Sequence, residues 1–433
     1  MKTRRLNAAR PWPTPWSPSS NAGLRRRGLT LAVSTALATC AAALSACAAT
    51  SNEDVSPPAP DPAPAPAPSD DSGAPADAGA PCTRDCEYFP PACSADVLCP
   101  NGLFDLAKPL GGPDHFDGRT TVHLVRGRSE SDVWVVGALG AATRFDGTSW
   151  VRSEVPVTPE SPQGHIPTLR TLWLRDDHEV GIAGFDQVYS RGLVDSPDAG
   201  AGGWTAGGAP VIAPKPPFDV GSQTVTYGWS APGSEWFWLA TAPLYPGQFA
   251  GPSGLIRLRG NATNGLTGEV AAMNLGTFAG LHGSSADELW AVGMDGAAVR
   301  VTGASGNSPS AKAYNSQTRN ALYGVWAASP SDVWAVGFGG TIRHYTGAPY
   351  LWEIVPDIPE EMRLNAVFGS SASDIWAVGK DAVVLHYDGT RWSRMKIGGL
   401  GSRRPNLSTV WTSGPGHVWV GGEGVVLSLG GKP

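Results

Sequence analysis

The densest group of ionisable side chains in this chain is Asp176-Asp177-His178-Glu179. Carboxylates beside an imidazole could hold a divalent metal or share a proton in acid–base chemistry, and a glycosidase needs two carboxylates facing one pocket. The same residues fall between two strand-like segments, where a solvated turn carries the same residue types. Both readings stay open, and Asp176, Asp177 and Glu179 are the acids to locate. The remaining histidines, His115, His123, His165, His282, His344, His386 and His417, are scattered. His344 and His386 each precede a tyrosine in the related phrases RHYTG and LHYDG, which marks them as repeated, hydrogen-bonded structure. No G-x-S-x-G, H-E-x-x-H, Walker or dinucleotide-binding pattern occurs. No catalytic residue is therefore assigned, and neither a metal nor another cofactor is expected.

The elements that would carry such residues are strands. Charged residues make up 16% of the 433 residues, against roughly a quarter in an average protein, while Gly (55), Pro (39) and Trp (17) are abundant. That balance suits a loop-rich all-β chain. The net charge of −6 argues against a nucleic-acid partner.

A phrase of the form Ser-Asp-Val-Trp-Ala-Val-Gly recurs, with tryptophans at Trp134, Trp290, Trp334, Trp376 and Trp419. The last four stand 44, 42 and 43 residues apart. A period in the forties with strand-like content signals one supersecondary unit repeated in series. The copy at 364–397 shows the unit: four short strands, with Asp388-Gly389 as a tight turn before the fourth. Four antiparallel strands per repeat, arranged radially, make a β-propeller blade. Two degenerate copies, with Gly181 and Phe237 at the tryptophan position, bring the count to seven. The last copy ends after its third strand, so its fourth must come from elsewhere, and residues within 100–120 are expected to supply it. The motif Asp is expected to accept turn amides, the Trp to pack between blades, and the Gly to permit close approach.

Eight residues before each motif position stand Arg126, Trp173, Trp229, His282, Trp326, Phe368 and Trp411. They end the first strand of each blade and would form an aromatic ring near one mouth of the central channel, broken by Arg126 and His282. Packing between blades and ligand stacking are both open to them. Segments 192–220, 241–254 and 302–318 read as inserted loops in or after blades two to four, expected on one side of the disc.

The N-terminus reads as an address. Arg25-Arg26-Arg27 precede an uncharged apolar run, Gly28 to Ala43, and then Leu44-Ser45-Ala46-Cys47. This ending resembles the bacterial lipobox, which implies a signal peptide over 1–46 and a lipid on Cys47; an uncleaved anchor or an ordinary secreted protein is the other reading. Ala48 after the lipid site, by analogy with sorting rules, implies an outer-membrane lipoprotein. Residues 47–81 are Pro/Ala-rich and favour an extended tether. Cys82, Cys86, Cys93 and Cys99 form an even set, which in an exported protein points to two disulfides, with a zinc site as the rival.

Residues 121–433 resemble the bacterial S-D-V-W-A-V-G repeat propellers, within the wider sialidase-like and two-component-regulator-like propellers. The resemblance implies a seven-bladed β-propeller of four-stranded antiparallel blades, preceded by a Cys-rich segment over 82–120. The function expected is a membrane-anchored monomer that binds a protein or a glycan. A propeller glycosidase or lyase and a structural envelope component are the alternatives.

Overall fold

The computed structural model describes residues 85–105, 115–157, 166–185, 187–193, 202–216, 218, 220–244, 253–260 and 265–433. The lipobox with Cys47, the Pro/Ala-rich stretch and Cys82 lie outside them. Among the described residues no helix is long and apolar enough to cross a membrane.

Seven antiparallel sheets of four strands follow one another along the chain, the third extended by a short fifth strand. Blade one is Val122–Ser129, Asp132–Gly137, Ala142–Phe145 and Trp150–Arg152, paired in that order. The first strands of blades two to seven are Thr171–Leu174, Gln223–Trp229, Phe278–Ser285, Leu322–Ser329, Leu364–Ser371 and Leu407–Gly414. Each first strand contacts that of the next blade, and Leu407–Gly414 returns to Val122–Ser129. The ring is therefore closed, and its first strands surround a central axis.

The last blade takes its fourth strand from upstream. Leu98–Pro100 pairs antiparallel with Val425–Leu429, placing Leu98 opposite Leu429 and Cys99 opposite Ser428. This strand lies mostly before the window expected to supply it, because Cys99 belongs to the strand itself. Within that window, Pro100 pairs with Leu427, the Asn101 amide donates to the Val426 carbonyl at 3.0 Å and the Gly424 amide to the Thr120 carbonyl at 2.8 Å; just past it, Thr121 bridges to Glu423. A Cys93–Cys99 disulfide ties the closing strand to the segment before it, and Cys86 is also disulfide-bonded. No group of metal-ligating side chains forms among the described residues.

Seven apolar clusters fill the seven seams between blades. The motif Trp of one blade packs on the third- and fourth-strand aromatics of the next. Trp290 meets Tyr345 and Trp352, with ring centroids 4.8 and 5.0 Å away, and Trp334 meets Tyr387 and Trp392 at 4.9 and 5.7 Å. The motif glycines Gly137, Gly293, Gly337, Gly379 and Gly422 are needed for close approach: a Cβ at each would overlap a backbone carbonyl oxygen.

The degenerate copies are corrected by one residue. Trp173 pairs with Val180 and Trp229 with Trp238, as Arg126 pairs with Trp134 and Trp326 with Trp334. Val180 and Trp238 thus occupy the motif position, not Gly181 and Phe237. The first turn is one residue shorter in blade two and one longer in blade three, and a one-residue slip moves a strand side chain to the opposite face. Phe237 accordingly packs toward blade two, and Trp238 toward blade four.

Candidate functional site at the channel mouth

A cavity of about 410 Å³ is lined by residues from all seven blades, which places it on the axis. Its wall comprises Arg126, Leu172 and Leu174, Trp229, His282, Trp326, Phe368 and Trp411, with the turns after the first strands forming the rim. Six of the seven ring positions therefore meet here. Trp173 does not. It is 1% exposed and stacks on Phe237 with centroids 5.6 Å apart. It lines a separate opening of about 400 Å³ between blades two and three, with Arg175, His178, Glu235 and Arg259.

A packing rule builds the mouth. The Trp229 ring lies where a Cβ on Gly283 would be, Trp326 likewise at Gly369, and Trp411 at Gly127. Each of these glycines follows the ring residue of the next blade, so each of these three tryptophans is seated on a neighbour that lacks a side chain. The rings are consequently almost fully buried: Trp229, Trp326 and Trp411 are 4%, 4% and 5% exposed.

The two departures from the aromatic rule face each other across the axis. Arg126 is half-buried, and its guanidinium carbon lies 4.9 Å from the Phe368 centroid, reaching past blade seven. It also hydrogen-bonds Tyr227 of blade three. Burial lowers its pKa from the usual arginine value, and Tyr227 partly offsets the effect. The guanidinium remains cationic. His282 is 8% exposed and lies 5.5 Å from both Trp229 and Phe368, centroid to centroid. Its Nδ1 accepts the Ala327 amide at 3.1 Å. Burial, and then the charge on Arg126, hold its pKa well below the usual imidazole value, so it is neutral at physiological pH.

The acidic cluster does not converge. Asp176 is exposed on the rim and is the only carboxylate residue lining the axial cavity among the described residues. Asp177 turns away and contacts His178 Nδ1 at 2.9 Å. Glu179 is 4% exposed and binds Arg128 at 2.6 Å and Arg191 at 3.1 Å. Its arginine partners give it a structural role, while the place two residues before Val180, where the motif acid stands in other blades, is held by His178.

The motif acids themselves correct another expectation. Asp332 accepts the Trp334 indole N–H at 2.9 Å and contacts His344 Nε2 at 2.7 Å. Asp374 does the same with Trp376 and His386 at 2.9 and 2.8 Å. The turn amides are taken instead by serines: Ser331 N–H donates to Ser329 and Ser373 N–H to Ser371, each at 3.3 Å. Asp146 and Asp388, in the Asp-Gly turns, do accept two backbone amides each.

The inserted segments also resolve differently. Trp204–Gly207 within 192–220 is the fourth strand of blade two, and Val211–Ile212 adds a parallel fifth strand to blade three. Ser310–Asn315 within 302–318 is the fourth strand of blade four. In an antiparallel blade the first and third connections share one face and the second lies on the other. The connection before Ser310 therefore shares the face of the axial cavity; residues 194–201 and 245–252 of the other two segments lie outside the described ones.

No protein-family model matches this chain, and no curated protein matches it. Solved structures share its fold. The chain is similar to YCF48 bound to D1 peptide, with a TM-score of 0.51, 13% identity, and coverage of 72% of this chain and 92% of that one. It is similar to YCF48 from Cyanidioschyzon merolae, with a TM-score of 0.51 and 12% identity over 72% of this chain and 96% of that one. At these identities the likeness is one of fold.

Proposed function

We propose that this protein is an exported, lipid-anchored propeller that binds a peptide segment of a partner protein at the channel mouth. The observation that supports this reading is the axial cavity, where aromatic and aliphatic side chains meet two arginines, Arg126 and Arg128, with Asp176 as the carboxylate on the rim among the described residues. Pockets of this kind suit a ligand inserted end-on or as a loop. A two-carboxylate hydrolytic centre is not assembled in this cavity from the described residues, so binding is the better fit. The near-complete burial of the tryptophan faces favours a peptide over a glycan, because sugar stacking needs an open ring face. A propeller of the same fold carries a peptide in the YCF48 complex.

The lipid on Cys47, the signal over 1–46 and an outer-membrane address rest on the lipobox resemblance and belong to this proposal. Metabolic labelling with a fatty acid should mark the wild-type chain and not Cys47→Ala; equal labelling of both would remove the anchor. For binding, the purified protein is screened against peptide and glycan arrays. Peptide capture abolished by Trp326→Ala, in a variant that still unfolds cooperatively, supports the assignment. Capture of glycans alone, or of nothing, overturns it.

A further inference from the structure

We infer that the ligand of the channel mouth is an acidic peptide, held by a carboxylate on Arg126; this rests on the peptide-binding reading above. Arg126 differs from five other buried or half-buried arginines. Arg128 holds Asp132 and Glu179, Arg257 holds Glu269, Arg300 holds Glu288, and Arg394 holds Asp85 and Glu360. Arg343 is satisfied by the carbonyls of Ser316, Ile342 and Gln317. Among the described residues no carboxylate lies within ion-pair distance of Arg126; its partners are the Phe368 ring and the Tyr227 hydroxyl.

A guanidinium presents five donors, and one ring face plus one hydroxyl leaves most of them unused. Holding a cation against buried aromatic rings without a counter-charge is costly, and a carboxylate entering from solvent would relieve that cost through a bidentate pair. The neighbours do not compete for that role. His282 is neutral and gives its Nδ1 to the Ala327 amide. Asp176 on the rim makes no ion pair with Arg126, and its charge opposes an incoming acid. Arg128 lines the same cavity but is already neutralised by two carboxylates. The cation on the axis is thus matched to a single acidic side chain carried between apolar residues.

The test uses the purified full chain and two pools of short acetylated, amidated peptides, identical except that Asp and Glu in one are Asn and Gln in the other. Binding is read by calorimetry and tryptophan fluorescence. The acidic pool should bind and the amide pool should bind at least about tenfold more weakly, since each tenfold corresponds to about 1.4 kcal/mol. Arg126→Gln should erase the difference between pools. Arg126→Lys should keep it in part, because the charge survives without the bidentate geometry. Asp176→Asn should tighten the acidic pool by roughly two- to fivefold. Thermal melts establish that each variant is folded; if Arg126→Gln is not, the Arg126→Lys and Asp176→Asn shifts carry the decision. Equal binding of both pools overturns this inference and leaves peptide binding standing. Binding of neither pool overturns both, and so does uronic-acid oligosaccharide binding without peptide binding.

Discussion

Individual side chains in this propeller answer to rules set by their place in the repeat. The motif acid is the clearest case. Asp374 is buried, which alone would raise its pKa, yet His386, Ser370 and Trp376 together hold it below the ordinary carboxylate value. A depressed carboxyl contributes stability that is present above its unfolded pKa, near 4, and is lost as pH falls through the folded value. Asp374→Asn should therefore destabilise the protein by about 1–3 kcal/mol at pH 7. Urea titrations at pH 7 and pH 3 check this: the gap between wild type and variant should narrow at pH 3. A gap that is constant with pH would mean that the ionised form adds nothing. The arrangement of Asp, Trp and His was partly visible in the sequence, where His344 and His386 recur at matching positions. That the acid binds the indole and imidazole rather than the turn was not visible, because twelve residues separate Asp374 from His386 and only strand pairing makes them neighbours.

At the scale of strands, the first strand of each blade carries two jobs: it packs against the next blade and it shapes the channel. The glycine after the ring position decides how closely neighbours approach. A Cβ on Gly369 would lie 2.8 Å from both Trp326 Cη2 and the Asp374 carbonyl oxygen. Gly369→Ala should cost about 1–3 kcal/mol by overpacking, whereas alanine at Gly414, which has no atom within 4 Å of its Cβ position, should change little. Denaturant midpoints of the two variants make the comparison. The pairing of a tryptophan in one blade with a glycine in the next is legible in the sequence once the blades are aligned, at Trp229 with Gly283, Trp326 with Gly369 and Trp411 with Gly127. The fourth strands were harder to read. Ser310–Asn315 is largely solvent-exposed and polar, so it lacks the apolar alternation that marks a half-buried strand and resembles a loop in composition. Blades two and three slipped by one residue because their first turns differ in length while their apolar content stays high on both faces.

For the whole molecule, closure is the controlling feature. Val425–Leu429 would be an exposed sheet edge without Leu98–Pro100, and unpaired edges invite association. Leu98 is fully buried and packs with Trp376, Ile397 and Leu427 across the last seam. Removing residues up to Pro100 should lower the melting temperature and produce dimers or larger species in light scattering; a monomer with unchanged melting would show that the strand is dispensable. The Cys93–Cys99 bond closes a short loop, so its loss should cost only about 2 kcal/mol. The sequence by itself determined the repeat, the number of blades and, outside blades two and three, the motif residues that fill the seams, because period and apolar spacing are local properties of the chain. It also marked Arg126 and His282 as exceptions to an aromatic rule. Only the tertiary structure decided that Arg126 meets Phe368 and Tyr227 rather than an acid, that Trp173 leaves the ring, and that Asp176, Asp177 and Glu179 go separate ways. Those outcomes depend on which face a strand residue takes and which blade lies across the axis, and both are set by ring closure over hundreds of residues rather than by any neighbouring sequence.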